Sequence, residues 1–338
     1  MSAVSATAPT GIPVIGVAEM EAALDRAGAV AAIEAALHGG VDIEADAPRL
    51  FSPLTAGEFL LMPSQSPQHA GIKVVTIAPA NPARDLPKIQ AWYLLFEAET
   101  LAPVAILEGA HLTLLRTPAV TAVAVRALLA ADPAGPRGIA TLAVLGSGPQ
   151  AEAHVRTLAD LMPVGEVLVL GRTPDRAEPL VARLRDTGFA ARAATRADLA
   201  AADVVIAATS SAAPVVARAD VADNAVVAAI GTHGADHREL AADLVLDGDL
   251  VVEARASAFR ENGNLLAART ADQWRAGAQP VTNLRELVTS PYTRRPGHPA
   301  VYTGVGMSWE DLAVVARILG RADHDDPSSS RGASDGRE

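Results

Sequence analysis

The stretch "IATLAVLGSGPQAEAHVRTL", residues 139–158, constrains this chain more than any other. A short apolar run rich in β-branched residues reaches Gly-Ser-Gly-Pro-Gln-Ala and resumes with helical spacing. Gly146, Ser147, Gly148, Pro149, Gln150 and Ala151 form a G-x-G-x-x-A turn, a dinucleotide fingerprint when a strand precedes it and a helix follows. The first glycine permits the sharp turn, the second lets backbone approach a pyrophosphate, and Ala151 allows helix to pack closely on strand. The helix N-terminus adds unpaired N–H groups and the positive end of a dipole. Small-residue turns also occur for packing alone, so context decides. Here "EVLVLGR", "PDRAEPLVARLRDTG", "DVVIAATSS", "AVVAAIGTH" and "DLVVEA" continue an alternation of strands and helices. Short apolar strands alternating with helices imply a parallel sheet covered on both faces: α/β, a Rossmann-type doubly wound sheet.

The chain upstream has another character. "FLLMP", "IKVVTIAP", "IQAWYLLFEA" and "PVAILEG" read as short antiparallel strands separated by Pro, Asn and Gly. Before them, residues 17–37 have the spacing of a single helix, stopped by Gly39-Gly40. "PAVTAVAVRALLAA" is helical and "DPAGPRG" a loop, so the domain boundary falls near residues 117–120. The helix-like "WEDLAVVARILG" (309–320) follows the alternation and is expected to pack back on the first domain.

A net charge of −11, with no local basic cluster, argues against a nucleic-acid partner, since a phosphate backbone needs a basic face. There are no cysteines, which excludes disulfides, thiolate zinc sites and a cysteine nucleophile and fits a reducing cytoplasm. No continuously apolar, uncharged stretch approaches the ~20 residues that span a bilayer, and no basic segment precedes the first apolar residues. A cytoplasmic protein without a membrane partner is expected.

Two sets of polar residues suggest chemistry. At the end of the second βα strand, where an acidic residue would hold a free ribose hydroxyl, stand Arg172 and Thr173. A guanidinium there suits a 2′-phosphate, favouring NADP(H) over NAD(H), although Asp175 leaves a solvent-facing loop arginine open. The second set is Arg49, Lys73 and Arg116, the last followed by Thr117. Lysine is unusual in an apolar strand pattern unless it faces a cleft. Cations converging on one cleft would suit a carboxylate held bidentately, whereas each taken singly is more often a surface charge.

With the glycine turn, these residues carry a resemblance. "LMPSQSPQHAGIKVV", "NPARDLPKIQA", "LTLLRTPA", "VLGSGPQA", "GRT", "DVVIAATSS", "IGTHGADHREL" and "GVGMSWEDLA" occur in order, and the chain resembles the ornithine cyclodeaminase/μ-crystallin family over about residues 12–320. The resemblance implies a homodimer and an α+β substrate and dimerisation domain built from both chain ends, here 12–118 plus 305–321. It also implies a Rossmann domain over 119–304. The ends, 1–11 and 322–338, are polar and rich in small residues and are expected to be disordered. It implies substrate binding by Arg49, Lys73, Arg116 and Met62, with Lys73 near the reacting centre. Cofactor contacts would come from Arg116, Thr117, Gly146 to Ala151, Arg172, Thr173, Thr209 and Met307 of "GVGM". The partner would be a small carboxylate-bearing imine or amino acid.

Two departures shape the reading. Cyclodeaminases resemble one another in an aspartate two residues after the Ile-Gly of the fifth strand, where this chain has His233. They also carry a glutamate just before "LMP" to receive a distal amine, where this chain has Leu60, with Glu58 two residues earlier able to compensate in part if the register differs. A cationic amine without an acidic partner is poorly held in a dry pocket. The expected function is therefore NADPH-dependent reduction of a C=N bond beside a carboxylate. Lys73 is the first candidate proton donor and His233 the second, unless His233 only hydrogen-bonds cofactor or loop backbone. His233 and His237 have metal-like spacing, but Gly234 argues against a helix and no third ligand is nearby, so no metal is expected. The alternatives are a cyclodeaminase with bound NAD and a non-catalytic NADPH-dependent binder.

Overall fold

A computed structural model describes residues 11–132, 138–231 and 234–325, the last five by backbone alone. His233, most of the loop "DPAGPRG" and nearly all of both ends expected to be disordered lie outside the described residues. The chain divides into two compact units. One draws on residues up to 24, 47–113 and from 315 onward; the other on 25–46 and 114–314.

The first unit is a six-stranded sheet: β1 (Val14–Ile15), β2 (Leu50–Leu54), β3 (Gly57–Gln65), β4 (His69–Ile77), β5 (Ile89–Glu97) and β6 (Pro103–Glu108), in the order β1-β6-β5-β4-β3-β2. The ladder is antiparallel from β2 to β6, and β1 joins β6 in parallel. Strand alternation separates two faces. One buries Leu60, Met62, Lys73, Val75, Tyr93 and Leu95. The other aligns Leu61, Val74 and Trp92 in one register row and Ile72, Leu94, Ile106 and Val14 in the next. That second face is concave around Val14, Val74, Trp92, Leu94 and Ile106, and Trp92 remains 47% exposed.

The second unit is an eight-stranded parallel sheet. Its strands are β7 (Ile139–Leu145), β8 (Val164–Leu170), β9 (Ala190–Ala193), β10 (Val204–Ala207), β11 (Val226–Ala229), β12 (Asp249–Val252), β13 (Thr282–Asn283) and β14 (Ala300–Thr303). The order is β13-β12-β14-β11-β10-β7-β8-β9. The chain leaves β7 toward β8 and β9, then returns to the other side of β7 with β10, so the strand order reverses between β7 and β10. Open α/β sheets bind ligands outside the carboxyl ends at such a point. Val205, Ala207, Val227, Ala229 and Val252 are all buried, and small aliphatic side chains fill this core in place of scarce aromatics. β14, inserted between β11 and β12, was not foreseen, because "AVYT" is too short to show a period.

Three expectations need correction. The single helix over 17–37 is two, Val17–Ala23 and Arg26–His38; Leu24 is extended, and the Asp25 carboxylate caps the second by accepting from Gly28 N at 2.7 Å. Residues 25–46 and 305–314, assigned above to the substrate half, belong with the parallel sheet. Arg26 pairs with Asp160 at 2.6 Å, and Glu44 accepts from Arg255 N, Ala256 N and Asn283 Nδ2 at 3.1, 2.8 and 2.9 Å. Finally, the units part at residue 113/114, a few residues before the expected 117–120 and inside the helix Gly109–Ala130, which begins earlier than expected and continues through Pro118. It is the one helix among the described residues long and apolar enough to cross a membrane, and 78% of its most apolar window is buried in the fold.

Candidate functional site

The glycine turn sits at the carboxyl end of β7. Gly146 has φ +114°, and a Cβ there would lie 2.4 Å from the carbonyl oxygen of Ala208. Only glycine allows β7 and the loop after β10 to approach so closely. Gly148 differs: it is exposed, its φ is −84°, and a Cβ on it would meet nothing within 4 Å. The protein's own packing does not require that glycine; a ligand drawn against the backbone does. Gly148 is the N-cap of the helix Pro149–Leu161, with Pro149 at its first position and Ala151 fully buried against the sheet. The 13-residue helix therefore opens its unsatisfied N–H groups beside a bare backbone, the arrangement that holds a pyrophosphate.

The helix Gly109–Ala130 runs alongside. His154 Nε2 meets Thr121 Oγ1 at 3.1 Å, and His154 Nδ1 donates to Gln150 O at 2.7 Å. Burial lowers the His154 pKa to about 4, with the neighbouring positive charge of Arg116 adding to it. One turn before Thr121 lies Thr117, whose buried Oγ1 has no hydrogen-bond partner among the described residues. A buried hydroxyl without a protein partner is a donor set aside for a ligand. With the open cradle at Gly148, it makes this end of the sheet fit a dinucleotide.

Arg116 is 6% exposed and surrounded by acids of its own unit. Its Nη1 donates to Glu310 Oε2 at 2.8 Å, and its Nε lies 3.4 Å from Asp311 Oδ1. Gly306, at φ +76°, lies so close that a Cβ would be 2.6 Å from Nη1. Burial alone would lower the guanidinium pKa, but Asp311, Glu310 and Glu253 outweigh it and raise the value. Glu253 gathers the "GVGM" loop, accepting from Val305 N at 2.8 Å and Gly306 N at 2.9 Å. Burial and the facing charge of Glu253 push Glu310 well above the usual carboxylate range, against the pull of Arg116. Nη2 of Arg116 has no hydrogen-bond partner among the described residues and remains a donor for a ligand. Met307, next along this loop, is buried, with Ser257 Oγ 3.8 Å from its sulfur.

Thr209, after β10, is engaged by protein. Its N–H and hydroxyl donate to Glu239 Oε1 at 2.6 and 2.8 Å. Arg172 and Thr173 are exposed at the end of β8; Arg172 makes no ion pair among the described residues.

In the first unit, Lys73 is 2% exposed, paired in register with Met62 on β3 and Tyr93 on β5, and its Nζ donates to Thr113 Oγ1 at 3.4 Å. Leu60 lies on the same buried face as Met62. Arg49 is half-buried just before β2. Thus Lys73 and Met62 are neighbours, while Arg116, Thr117, the glycine turn, Thr209 and Met307 belong to the nucleotide-binding unit. Sequence reasoning missed Glu239, Glu253, Glu310 and His154. The only signal was that each lies in or beside a motif: "HREL", "LVVEA", "SWED" and the helix after the glycine turn.

The doubly wound sheet, the open glycine cradle and the unpartnered Thr117 hydroxyl define a Rossmann-type dinucleotide-binding protein. Residues 14–326 match the ornithine cyclodeaminase/mu-crystallin family, and the chain belongs to it. It is 32% identical over 316 residues to Delta(1)-pyrroline-2-carboxylate reductase 2 of Burkholderia ambifaria, covering 91% of this chain and 95% of that one. Ketimine reductase mu-crystallin of Mus musculus is 28% identical over 73% of this chain and 74% of its own. Among solved structures, Delta(1)-pyrroline-2-carboxylate reductase of Thermococcus litoralis, in complex with NADH and L-proline, shares the fold. Its TM-score is 0.81 at 22% identity, over 93% of this chain and 98% of that one.

Proposed function

We propose that this protein reduces a C=N bond next to a carboxylate, taking a Δ1-pyrroline-2-carboxylate-type ketimine or an imine formed from a 2-oxo acid and an amine. The observation that carries the reading is its nearly end-to-end likeness to the Burkholderia reductase. A bound nicotinamide dinucleotide supplies the hydride that goes to the imine carbon. The chain's residues do the rest. Arg49 and Arg116 hold the carboxylate, Arg116 through its remaining Nη2 donor. Lys73 places a proton at the imine nitrogen, with His233 as the second candidate. Gly146 to Ala151 and Thr117 hold the pyrophosphate, and Met307 and Thr209 border the nicotinamide. Orientation supplies most of the rate, since a hydride and an acceptor carbon held roughly 3–4 Å apart no longer have to find each other.

NADP(H) is the preferred cofactor. Arg172 supports this: it stands exposed, without an ion pair among the described residues, at the strand end where a 2′-phosphate is read. The protein is also a homodimer, supported by the apolar outer face of the six-stranded sheet, which a second copy would cover. Leu60, buried beside Met62, puts no carboxylate at the position just before "LMP", which argues against ornithine, with Glu58 two residues earlier on the same face the one acid of β3 that could compensate.

The test follows NADPH oxidation with Δ1-pyrroline-2-carboxylate, Δ1-piperideine-2-carboxylate and mixtures of 2-oxo acids with amines. Turnover is expected with at least one cyclic imine. Ornithine consumed to proline and ammonia without added NADPH would overturn the reading in favour of a cyclodeaminase. Flat traces throughout would leave a binder.

A further inference from the structure

We propose that Glu239, which no contact to substrate or cofactor calls for, is a positioning residue that sets the nicotinamide end of the site by clamping two strand-end loops together. The inference rests on the dinucleotide reading above. Glu239 is fully buried, and both of its oxygens are used. Oε1 receives the N–H and the hydroxyl of Thr209, after β10, and Oε2 receives Gly231 N at 2.8 Å, after β11. Its backbone is held just as firmly: Asn264 Oδ1 accepts its N–H at 2.8 Å, and its carbonyl accepts Val215 N and Val216 N at 2.7 and 3.1 Å. Asn264 in turn donates from Nδ2 to Thr303 Oγ1 at 2.9 Å, at the end of β14. One side chain therefore fastens the ends of β10 and β11, and its own amide is anchored through Asn264 to β14.

These are adjacent strands of the sheet, on the carboxyl side where ligands bind. The closeness is enforced by composition, since a Cβ at Gly231 would lie 2.1 Å from Thr209 O and 2.6 Å from Glu239 Oε1. A structural acid at the edge of a sheet needs no such convergence. Three donors from two loops, on one carboxylate that solvent cannot reach, make the spacing of those loops a property of Glu239. Ionised acceptors make the stronger hydrogen bonds, and a buried donor deprived of its acceptor pulls its loop away to find another.

The experiment uses the full chain and NADPH as probe. Glu239→Gln keeps the size but turns an NH2 group toward N–H donors. The expected result is a cofactor KM and dissociation constant raised at least tenfold, with the KM for the imino acid within threefold and the melting temperature of the cofactor-free protein little changed. Glu239→Asp restores the charge but is too short to reach both loops, so it is expected not to rescue. A merely structural role would lower the active fraction and the melting temperature and leave the cofactor KM of the surviving enzyme unchanged. Cofactor parameters within twofold of the unaltered chain overturn the proposal. Should the Gln variant not fold, amide hydrogen exchange of the unaltered protein decides. Thr209 and Gly231 are expected to be strongly protected before NADPH is added, and open-chain exchange rates at either overturn the clamp. Failure of the unaltered chain to bind any nicotinamide dinucleotide would instead sink the functional reading on which this inference rests.

Discussion

Arg116 donates through Nη1 to Oε2 of Glu310 at 2.8 Å, and neither side chain reaches solvent to any useful degree. Three acids, Glu253, Glu310 and Asp311, surround one guanidinium, and two like charges cannot sit together in a dry interior without cost. The raised pKa of Glu310 resolves the conflict. Glu310 accepts from Arg116 through Oε2, while burial and the neighbouring charge of Glu253 raise its pKa. The guanidinium is thus held with both Nη1 and Nη2 close against Gly306.

This makes the amide a faithful substitute. Glu310→Gln, which keeps an acceptor for Arg116 and removes a negative charge facing Glu253, is expected to retain kcat/KM within about threefold. Glu310→Ala is expected to lose at least tenfold and to destabilise the fold by roughly 3 kcal/mol, the cost of breaking a buried pair. Steady-state kinetics and denaturant titration of both variants check this. Equal damage from both would show that the charge of Glu310 is needed.

The two glycines of the turn should separate folding from binding. Gly146→Ala forces a side chain into a left-handed backbone and against Ala208 O, so it is expected to cost stability, on the order of 1–3 kcal/mol. Gly148→Asp puts a good N-cap residue where there is room, so the melting temperature is expected to hold or rise. Its carboxylate occupies the phosphate cradle, and NADPH affinity is expected to fall at least 100-fold. Thermal melts with calorimetric titration distinguish the two.

Cofactor choice is predicted to rest on Arg172. Arg172→Ser is expected to lower kcat/KM for NADPH by 10- to 100-fold while leaving NADH within threefold, measured with one imine at saturation. Equal losses with both cofactors would mean that the arginine does not meet the 2′-phosphate.

Lys73→Met places an apolar side chain of similar length on the buried face. The melting temperature is expected to stay or rise, because a buried ammonium is removed. At saturating substrate, kcat is expected to fall by about 100-fold or more, the typical weight of a positioned proton donor.

His154 predicts a pH response. Its folded pKa, pushed down to about 4, lies below the ordinary 6.5 of an unfolded chain, so the unfolded state takes up more protons between those values. Stability is therefore lost as pH falls from 6.5 toward 4, by roughly 3 kcal/mol from this group. Glu239 acts in the opposite sense: burial raises it to about 7, so acid favours its folded form. His154→Gln should flatten the His154 part alone, and the difference between the two pH–stability curves isolates it.

What could be read from the amino acids follows from how local each constraint is. The turn at Gly146–Ala151 was legible because its chemistry is confined to one strand, one turn and one helix. Lys73 stood out as a charge in an apolar alternation. Glu239, Glu253 and Glu310 were not legible, because an acid in a polar-looking stretch reads as solvated until its partners are known. Those partners lie far along the chain: Thr209 is 30 residues from Glu239, Gly306 is 53 from Glu253, and Arg116 is 194 from Glu310. The break at Leu24-Asp25 was missed because apolar spacing continues through it, and only the capping carboxylate ends the register.

The excursion of residues 25–46 has a practical meaning for anyone dissecting this molecule. Neither half is a contiguous length of polypeptide, so no single cut liberates one. A fragment beginning at Leu114 would lack the partner of Asp160 and would bare the amides of Arg255 and Ala256, which Glu44 now satisfies. Such a piece is expected to be sticky and protease-sensitive, whereas one that grafts the excursion back ahead of Leu114 should survive digestion.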